Sequence, residues 1–456
     1  MTHDEYIVGN RNRRVEDVAL ELSRRKDLDA SFVLRQIEGW QRMRTKVPRW
    51  TEVEGIHFPP RLALEQCSGQ PAAEYKAQVV SRLIEKDAAE LAEADTEFPE
   101  AATKNKAATK DEAATKDEAT VPAGFPAGSF ADLTGGMGVD FSFIAPLFAH
   151  ATYVEQREEL VETARHNFPL LGLANAQVVH GDGIEHLRTI KPVDILYLDP
   201  ARRDANGGKT VLVEDCEPNV KALLPLLRSK CRWLLVKLST MLDIRQTIAT
   251  LPCISEVHVF SAGGECKDLL LVIRGEAASA PTTSPAAPTR SSEPALPSEP
   301  TIYCSDEHST LTFTPSQEAA TVPEVFPSGT KPLEGYLYEP GPSIMKAGAY
   351  HTVAAHYGIA PLHPNSHLYI NNKQVENFQG RAFRIERTYT FSKQDLKALA
   401  TDLKAEGGKA NLTVRNFPAT VADLRKRLKI KEGGSTYLFA TTDSQERKII
   451  ISCKKI

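Results

Sequence analysis

The stretch FADLTGGMGVD (residues 130–140) opens a four-part pattern on which the fold turns. A short apolar strand runs into Gly135, Gly136 and Gly138, and a helical run follows. ATYVE (151–155) is a second apolar strand ending in a carboxylate, and AQVVHGDG (176–183) and VDILYLDP (193–200) supply a third and a fourth. Strands alternating with helix-length pieces predict a parallel sheet with crossover helices. Ligands of such sheets sit at the carboxyl ends of the strands, near the switch in strand order. Asp132, Gly136, Glu155, Asp182 and Asp199 all fall on that rim.

The residue types suit a nucleotide-like ligand. Glycines allow a tight turn and a close backbone approach, and the helix after them presents free N–H groups. Glu155 follows Gly138 by seventeen positions, near the offset of about 20 at which an acidic residue takes ribose hydroxyls. A dinucleotide fingerprint would need a glycine where Phe141 stands. Pyrophosphate binding is therefore disfavoured.

With Asp132, the Gly135-Gly136-x-Gly138-x-Asp140 loop, Glu155, Asp182 and Asp199-Pro200, the chain resembles class I S-adenosylmethionine-dependent methyltransferases. The resemblance covers roughly residues 125–275. It implies a Rossmann-like α/β domain with a mostly parallel seven-stranded sheet, and S-adenosyl-L-methionine as cofactor. It places cofactor contacts at Asp132, Thr134, Gly135, Gly136, Gly138, Asp140, Glu155, Gln156, Asp182, Gly183 and Asp199. Glu155 would hold the ribose hydroxyls, Asp182 would meet the adenine amino group, and Asp199-Pro200 would line the transfer site. The loop is also similar to that of a bacterial small-subunit rRNA guanine-N2 methyltransferase. With its flanking segments the whole chain looks like bacterial methyltransferases that carry a C-terminal THUMP-like domain.

After Asp199-Pro200 come Ala201, Arg202, Arg203 and Asp204. Amino-directed nucleic-acid enzymes of this class usually place an aromatic there, so this chain departs from the pattern. Arg202 or Arg203 would hold a phosphate or stack on a base through its guanidinium plane; the bland alternative is a surface ion pair with Asp204 or Glu214. The expected catalytic set is Asp199, Pro200 and Arg202. The fifth strand, CRWLLVKLST (231–240), ends with Lys237 and Ser239 and starts with Cys231. A cysteine at the start lies on the wrong rim for covalent C5 chemistry. VHVF (257–260) and LLLVI (269–273) read as a closing hairpin, with His258 a strand side chain.

Composition sets the frame. A chain of 456 residues with net charge −4 should hold two to four domains. The seven cysteines are scattered with no C-x-x-C pair, so neither a disulfide framework nor a metal site is expected. The acidic start and the lack of an 18-residue apolar run predict a cytoplasmic protein with no membrane partner.

The expected domains are 1–100, helical; 101–122, a repeat linker; 123–275, the methyltransferase domain; 276–300, a Pro/Ser-rich linker; 301–383, a small α+β (ferredoxin-like) domain; and 384–456, THUMP-like. In the helical part, Asp27-Leu28-Asp29 offers a cap, and a basic run ends at Trp50. Trp50 is either a stacking residue beside phosphate contacts or a plug in the domain. FPPR (58–61), LEQCS (64–68) and Tyr75-Lys76 resemble a recurring signature of this family whose chemical role the sequence does not disclose. The hexapeptide repeat of 101–120 holds nothing apolar larger than alanine and predicts a solvated linker.

Beyond residue 335, GYLYEPGPSIMKAG (335–348) reads as a strand, a turn and a helix capped by Ser343, with Lys346 near the helix start. Thr420 should cap a helix containing Lys426 and Arg427. Residues 381–456 carry 17 Lys and Arg against 8 Asp and Glu, a local footprint for RNA in a chain acidic overall. Arg415, Lys426 and Arg427 are the expected phosphate contacts. The implied function is methyl transfer to a base nitrogen of tRNA or rRNA, guanine N2 first. The alternatives are a small-molecule or protein methyltransferase, or a non-catalytic RNA-binding protein.

Overall fold

The computed structural model describes residues 2–96, 128–202, 212–251, 253–277, 299–327, 329 and 332–456. The hexapeptide repeat, Arg203, Asp204 and residues 278–298 of the expected Pro/Ser-rich linker lie outside the described residues. The chain divides into two compact units, one of Met1–Cys253 with Leu270–Leu296, the other of Ile254–Leu269 with Pro297–Ile456. No described helix is long and apolar enough to cross a membrane.

The first unit opens with α1 (His3–Asn10), α2 (Val15–Leu22), α3 (Ala30–Lys46), α4 (Pro48–Thr51), α5 (Arg61–Gln66) and α6 (Gln70–Thr96). Of the expected Asp27-Leu28-Asp29 segment, Asp29 caps α3, its carboxylate accepting the N–H groups of Ser31 and Phe32. On α2 the buried face is Val18 and Leu22, while Leu20 points outward. Trp50 is the plug, fully buried, with its indole N–H donating to Ser142 Oγ at 3.1 Å. It packs with Met43, Phe58 and Ala73 against Met137, Val139 and Phe143. Val79, Val80 and Leu83 of α6 likewise join Phe130, Phe141 and Trp233. The early helices and the sheet therefore share one core.

Next come β1 (Ser129–Asp132), α7 (Val139–Ile144), β2 (His150–Glu155), α8 (Glu158–Leu170), β3 (Ala176–His180), α9 (Gly183–Thr189) and β4 (Val193–Leu198). A small ribbon pairs β5 (Ala201–Arg202) with β6 (Cys216–Glu217), before α10 (Val220–Ser229), β7 (Cys231–Leu238) and α11 (Ile244–Thr250). The hairpin is β8 (Ile254–Ala262) and β9 (Glu265–Arg274), and Leu270–Arg274 of β9 belongs to the first unit. There the strand order is β9-β7-β4-β1-β2-β3. The pairs β4–β7, β1–β4, β1–β2 and β2–β3 are all parallel. Six of the seven expected strands thus lie wholly or in part in this unit, and β8 belongs to the second. The switch in order lies between β1 and β4.

In the second unit, β8 pairs in parallel with β10 (Thr301–Ser305), which pairs antiparallel with β11 (Thr310–Phe313). His258 is the expected strand side chain, buried and bonded to Glu256 at 2.9 Å. The later elements are α12 (Pro315–Ala320), β12 (Tyr336–Pro340), α13 (Pro342–Ala347), α14 (Tyr350–Tyr357), β13 (Ala360–Pro361), β14 (Tyr369–Asn371) and β15 (Gly380–Thr390). They continue as α15 (Lys393–Ala405), β16 (Asn411–Val414), α16 (Val421–Leu428), β17 (Thr436–Thr442) and β18 (Lys448–Lys455). One sheet, ordered β13-β14-β12-β15-β18-β17-β16, runs through them.

Two local expectations are corrected here. Ser343 does not cap α13; Pro342 takes the first helical position, so the cap falls to Gly341. Ser343 is buried instead, within reach of Ser261 and Gln379. Lys346 stands in the last turn of this six-residue helix, where the dipole favours a cation. Thr420 does cap α16, in a reciprocal box with Asp423.

Candidate active site

The switch between β1 and β4 gathers the rim residues. Asp132 ends β1, and its Oδ1 accepts the N–H of Thr134 at 2.9 Å. Thr134 Oγ1 in turn accepts the N–H of Asp199, just past β4, at 2.7 Å. One hydroxyl thus ties the two strand ends together. Asp132 is buried, and burial pushes its carboxyl up to about 8. The hydrogen bond from the Thr134 N–H opposes that rise, while the charges of Asp140 and Asp199 add to it.

The glycine loop turns through positive φ at Gly136 and Gly138. Gly135 has a packing reason: a Cβ there would lie 2.3 Å from the Tyr153 ring. Glu155, at the end of β2, accepts the N–H of Gly136 and the N–H of Arg157, each at 2.8 Å. Past β3, Asp182 caps α9 by accepting the N–H groups of Ile184 and Glu185. Its other oxygen accepts the Gln156 amide at 2.7 Å. Gly183 packs against the Leu133 carbonyl too closely for any side chain. A carboxylate with further acceptor capacity, an amide–carboxylate pair and an open glycine turn make a donor and acceptor set that fits a nucleoside diol and base.

Asp199 is a half-open carboxylate, with its side chain 40% exposed. Its Oδ2 accepts the ammonium of Lys237 at 2.7 Å. Lys237 also lies 3.9 Å from Asp140 Oδ2. That same oxygen accepts the Tyr197 hydroxyl at 2.8 Å and the Ser68 hydroxyl at 2.9 Å. Lys76, only 1% exposed, stands 3.2 Å from Asp140 Oδ1 and donates to Ser68 Oγ at 3.2 Å. Burial alone would raise the Asp140 carboxyl, but Lys76 and Lys237, with the two hydroxyl donors, hold it below the ordinary range. Asp140 is thus engaged by four side chains in the interior.

Pro200 is buried beside Asp199. Arg202 sits in β5, with its side chain outside the described residues. Cys231 is buried at the start of β7, and burial pushes its thiol up to about 12. In the second unit, Lys426 and Arg427 are exposed on α16, and the Arg427 guanidinium lies 5.5 Å from the centre of the Phe391 ring. Arg415 follows β16 and is held at 3.0 Å by the buried Glu339, which also pairs with Arg381.

Sequence reasoning left Ser68, Lys76 and Lys237 without a role. Signals for the lysines existed. Lys237 interrupts the apolar run of β7, and Lys76 falls on the stripe of α6 that carries Ala72, Ala73, Val79, Val80 and Leu83. A charge on an apolar face implies a buried partner.

Residues 380–455 match the family described as THUMP domain-like, and residues 336–378 match a ferredoxin-like domain family. No curated protein matches the chain. A solved structure from Porphyromonas gingivalis, of a protein provisionally assigned as a methyltransferase, is 28% identical. The alignment covers 99% of this chain and 97% of that one, with a TM-score of 0.75. A provisionally assigned methyltransferase from Escherichia coli is 18% identical over 33% of this chain and 77% of that one, with a TM-score of 0.24. An rRNA methylase from Streptococcus thermophilus is 12% identical over 33% of this chain and 88% of that one, also at 0.24. Alignments of that extent carry no functional weight.

Proposed function

We propose that this chain, which has the class I methyltransferase fold and a C-terminal THUMP-like domain, is an S-adenosylmethionine-dependent RNA methyltransferase of the cytoplasm. Its target would be a base nitrogen of tRNA or rRNA, guanine N2 first. The observation that carries the reading is Asp199. It stands half-open at the end of β4, held by Thr134 and Lys237, on the rim that holds Glu155 and Asp182. The whole-length likeness to the Porphyromonas gingivalis protein supports it, as does the basic C-terminal segment.

Glu155 would hold the ribose hydroxyls, Asp182 with Gln156 the adenine edge, and residues 132–140 the methionine end. The bound cofactor supplies an electrophilic methyl group on sulfur, so the chain has mainly to orient and desolvate the acceptor. Asp199 would accept a hydrogen bond from the acceptor amine and Pro200 would wall the site. Arg202 would meet a base or a phosphate. Lys426 and Arg427 would take phosphates, as would Arg415 where its pairing with Glu339 allows. The domain limits read from the sequence belong to this proposal, with the helical part and the THUMP-like part as RNA-docking elements. The test is transfer of labelled methyl groups into RNA and their loss on Asp199→Ala.

A further inference from the structure

The side chains Lys76, Asp140, Lys237 and Asp199 form a continuous line of alternating charge through the first unit. The contacts along it are 3.2, 3.9 and 2.7 Å. Exposure rises along the line, from 1% at Lys76 to 12% at the Lys237 side chain and 40% at that of Asp199. Only the Asp199 end is open to an acceptor. The other end is supplied by α6, before the sheet begins, together with Ser68 from the turn after α5.

We propose that Lys76 is a positioning residue for methyl transfer, acting through Asp140 and Lys237 to hold Asp199 paired and ionised at the acceptor end of the rim. This rests on the reading of Asp199 as the acceptor-side residue. The physical argument is competition for one ammonium. Lys237 lies between two carboxylates and sits on Asp199 because Asp140 has a cation of its own. A buried carboxylate without a counter-ion is strongly unfavourable. Remove the charge of Lys76, and Asp140 draws Lys237 inward by the ångström or so that separates the two contacts. The Lys237 contact to Asp199 then weakens, and Asp199 protonates more readily. The early helices thereby take part in setting the transfer site, and the Ser68 and Tyr75-Lys76 portion of the recurring signature gains a reason.

Among the described residues, the charged groups that bear on Asp199 are Lys237 from β7, Asp140 from α7 and, behind them, Lys76 from α6, with the titratable Asp132 of β1 beside them. Tyr197 of β4 donates to Asp140 and fixes it. An opposite charge at contact favours the ionised carboxylate, so weakening the Lys237 contact should make Asp199 easier to protonate.

The experiment follows the Asp199 carboxylate by infrared titration of the full chain, its band assigned by loss in Asp199→Asn; no acceptor is required. Lys76→Gln should raise the midpoint by about one pH unit. Lys76→Arg, which keeps the charge, should restore it. Lys76→Gln/Asp140→Asn, which removes the competing carboxylate as well, should return the midpoint to the wild-type value or below. With RNA as acceptor, Lys76→Gln should move the acid limb of the kcat–pH profile up by about one pH unit with KM unchanged. A midpoint unmoved by Lys76→Gln overturns the proposal. Should that variant fail to fold, Asp140→Asn must lower the midpoint, and no change there overturns it equally. A shifted midpoint in a protein that methylates no RNA would sustain this inference and sink the substrate reading.

Discussion

The ammonium of Lys237 lies 2.7 Å from Asp199 Oδ2, at the carboxyl ends of two adjacent parallel strands. It gives Asp199 a fixed orientation and a local counter-charge. Replacing Lys237 by Met keeps the stem and removes the charge. Methyl transfer should fall by about a hundredfold or more, while S-adenosylhomocysteine binding by calorimetry stays within a few-fold of wild type. An equal loss of both would mean that Lys237 serves the cofactor pocket and not the acceptor.

Trp50 tests whether the early helices and the sheet form one cooperative body. Trp50→Phe removes the indole donor to Ser142 and some core volume. It should cost about 1–2 kcal/mol. With Trp40→Phe as common background, so that Trp233 is the tryptophan left in the variant, a circular dichroism melt and the Trp233 fluorescence should shift down together. Independent transitions would show that the shared core does not couple them.

Asp132 gives a pH prediction with a definite sign. Its folded carboxyl titrates at about 8, against 3.8 for the free side chain, chiefly because it is buried. Between those values the folded chain keeps a proton that the unfolded chain has released, so stability falls as pH rises through the window. Asp132→Asn keeps an acceptor for the Thr134 N–H and cannot ionise. Its urea midpoint should therefore gain on wild type at pH 8 and match it at pH 4. Parallel curves would mean that Asp132 is ionised in the fold.

Lys426 and Arg427 are exposed on one helix and bear the RNA reading of the C-terminal segment. Replacing both by Glu should weaken RNA binding and lower the salt slope of log K by about one to two. Arg415→Ala should act differently: it strips one of two partners from the buried Glu339, so a lower melting temperature is expected with it. Unchanged RNA affinity in the Lys426→Glu/Arg427→Glu variant would move the RNA surface elsewhere.

The four rim segments could be read from the sequence because each places its special residue directly after an apolar strand. Local hydrogen bonding then fixes the geometry, as Asp182 capping α9 and Thr134 reaching back to Asp132 show. Asp29 and Thr420 were legible for the same reason: a cap and its N–H partners lie within three residues. Ser343 misled because Pro342 competes for the first turn and wins by its fixed φ. The Lys76–Asp140–Lys237 line was not legible. Its partners are 64 and 97 positions apart, and no spacing rule links a helix in one part of the chain to a strand end in another. What the sequence does display is the anomaly of each lysine among apolar neighbours.

The decisive measurement of RNA methylation incubates the full chain with radiolabelled S-adenosylmethionine and total tRNA and rRNA from cells lacking this protein, with Asp199→Ala alongside. Label should enter one RNA class and be absent with the variant, and digestion to nucleosides should place it on a base nitrogen. Cofactor binding without label in any RNA would contradict the RNA methyltransferase reading.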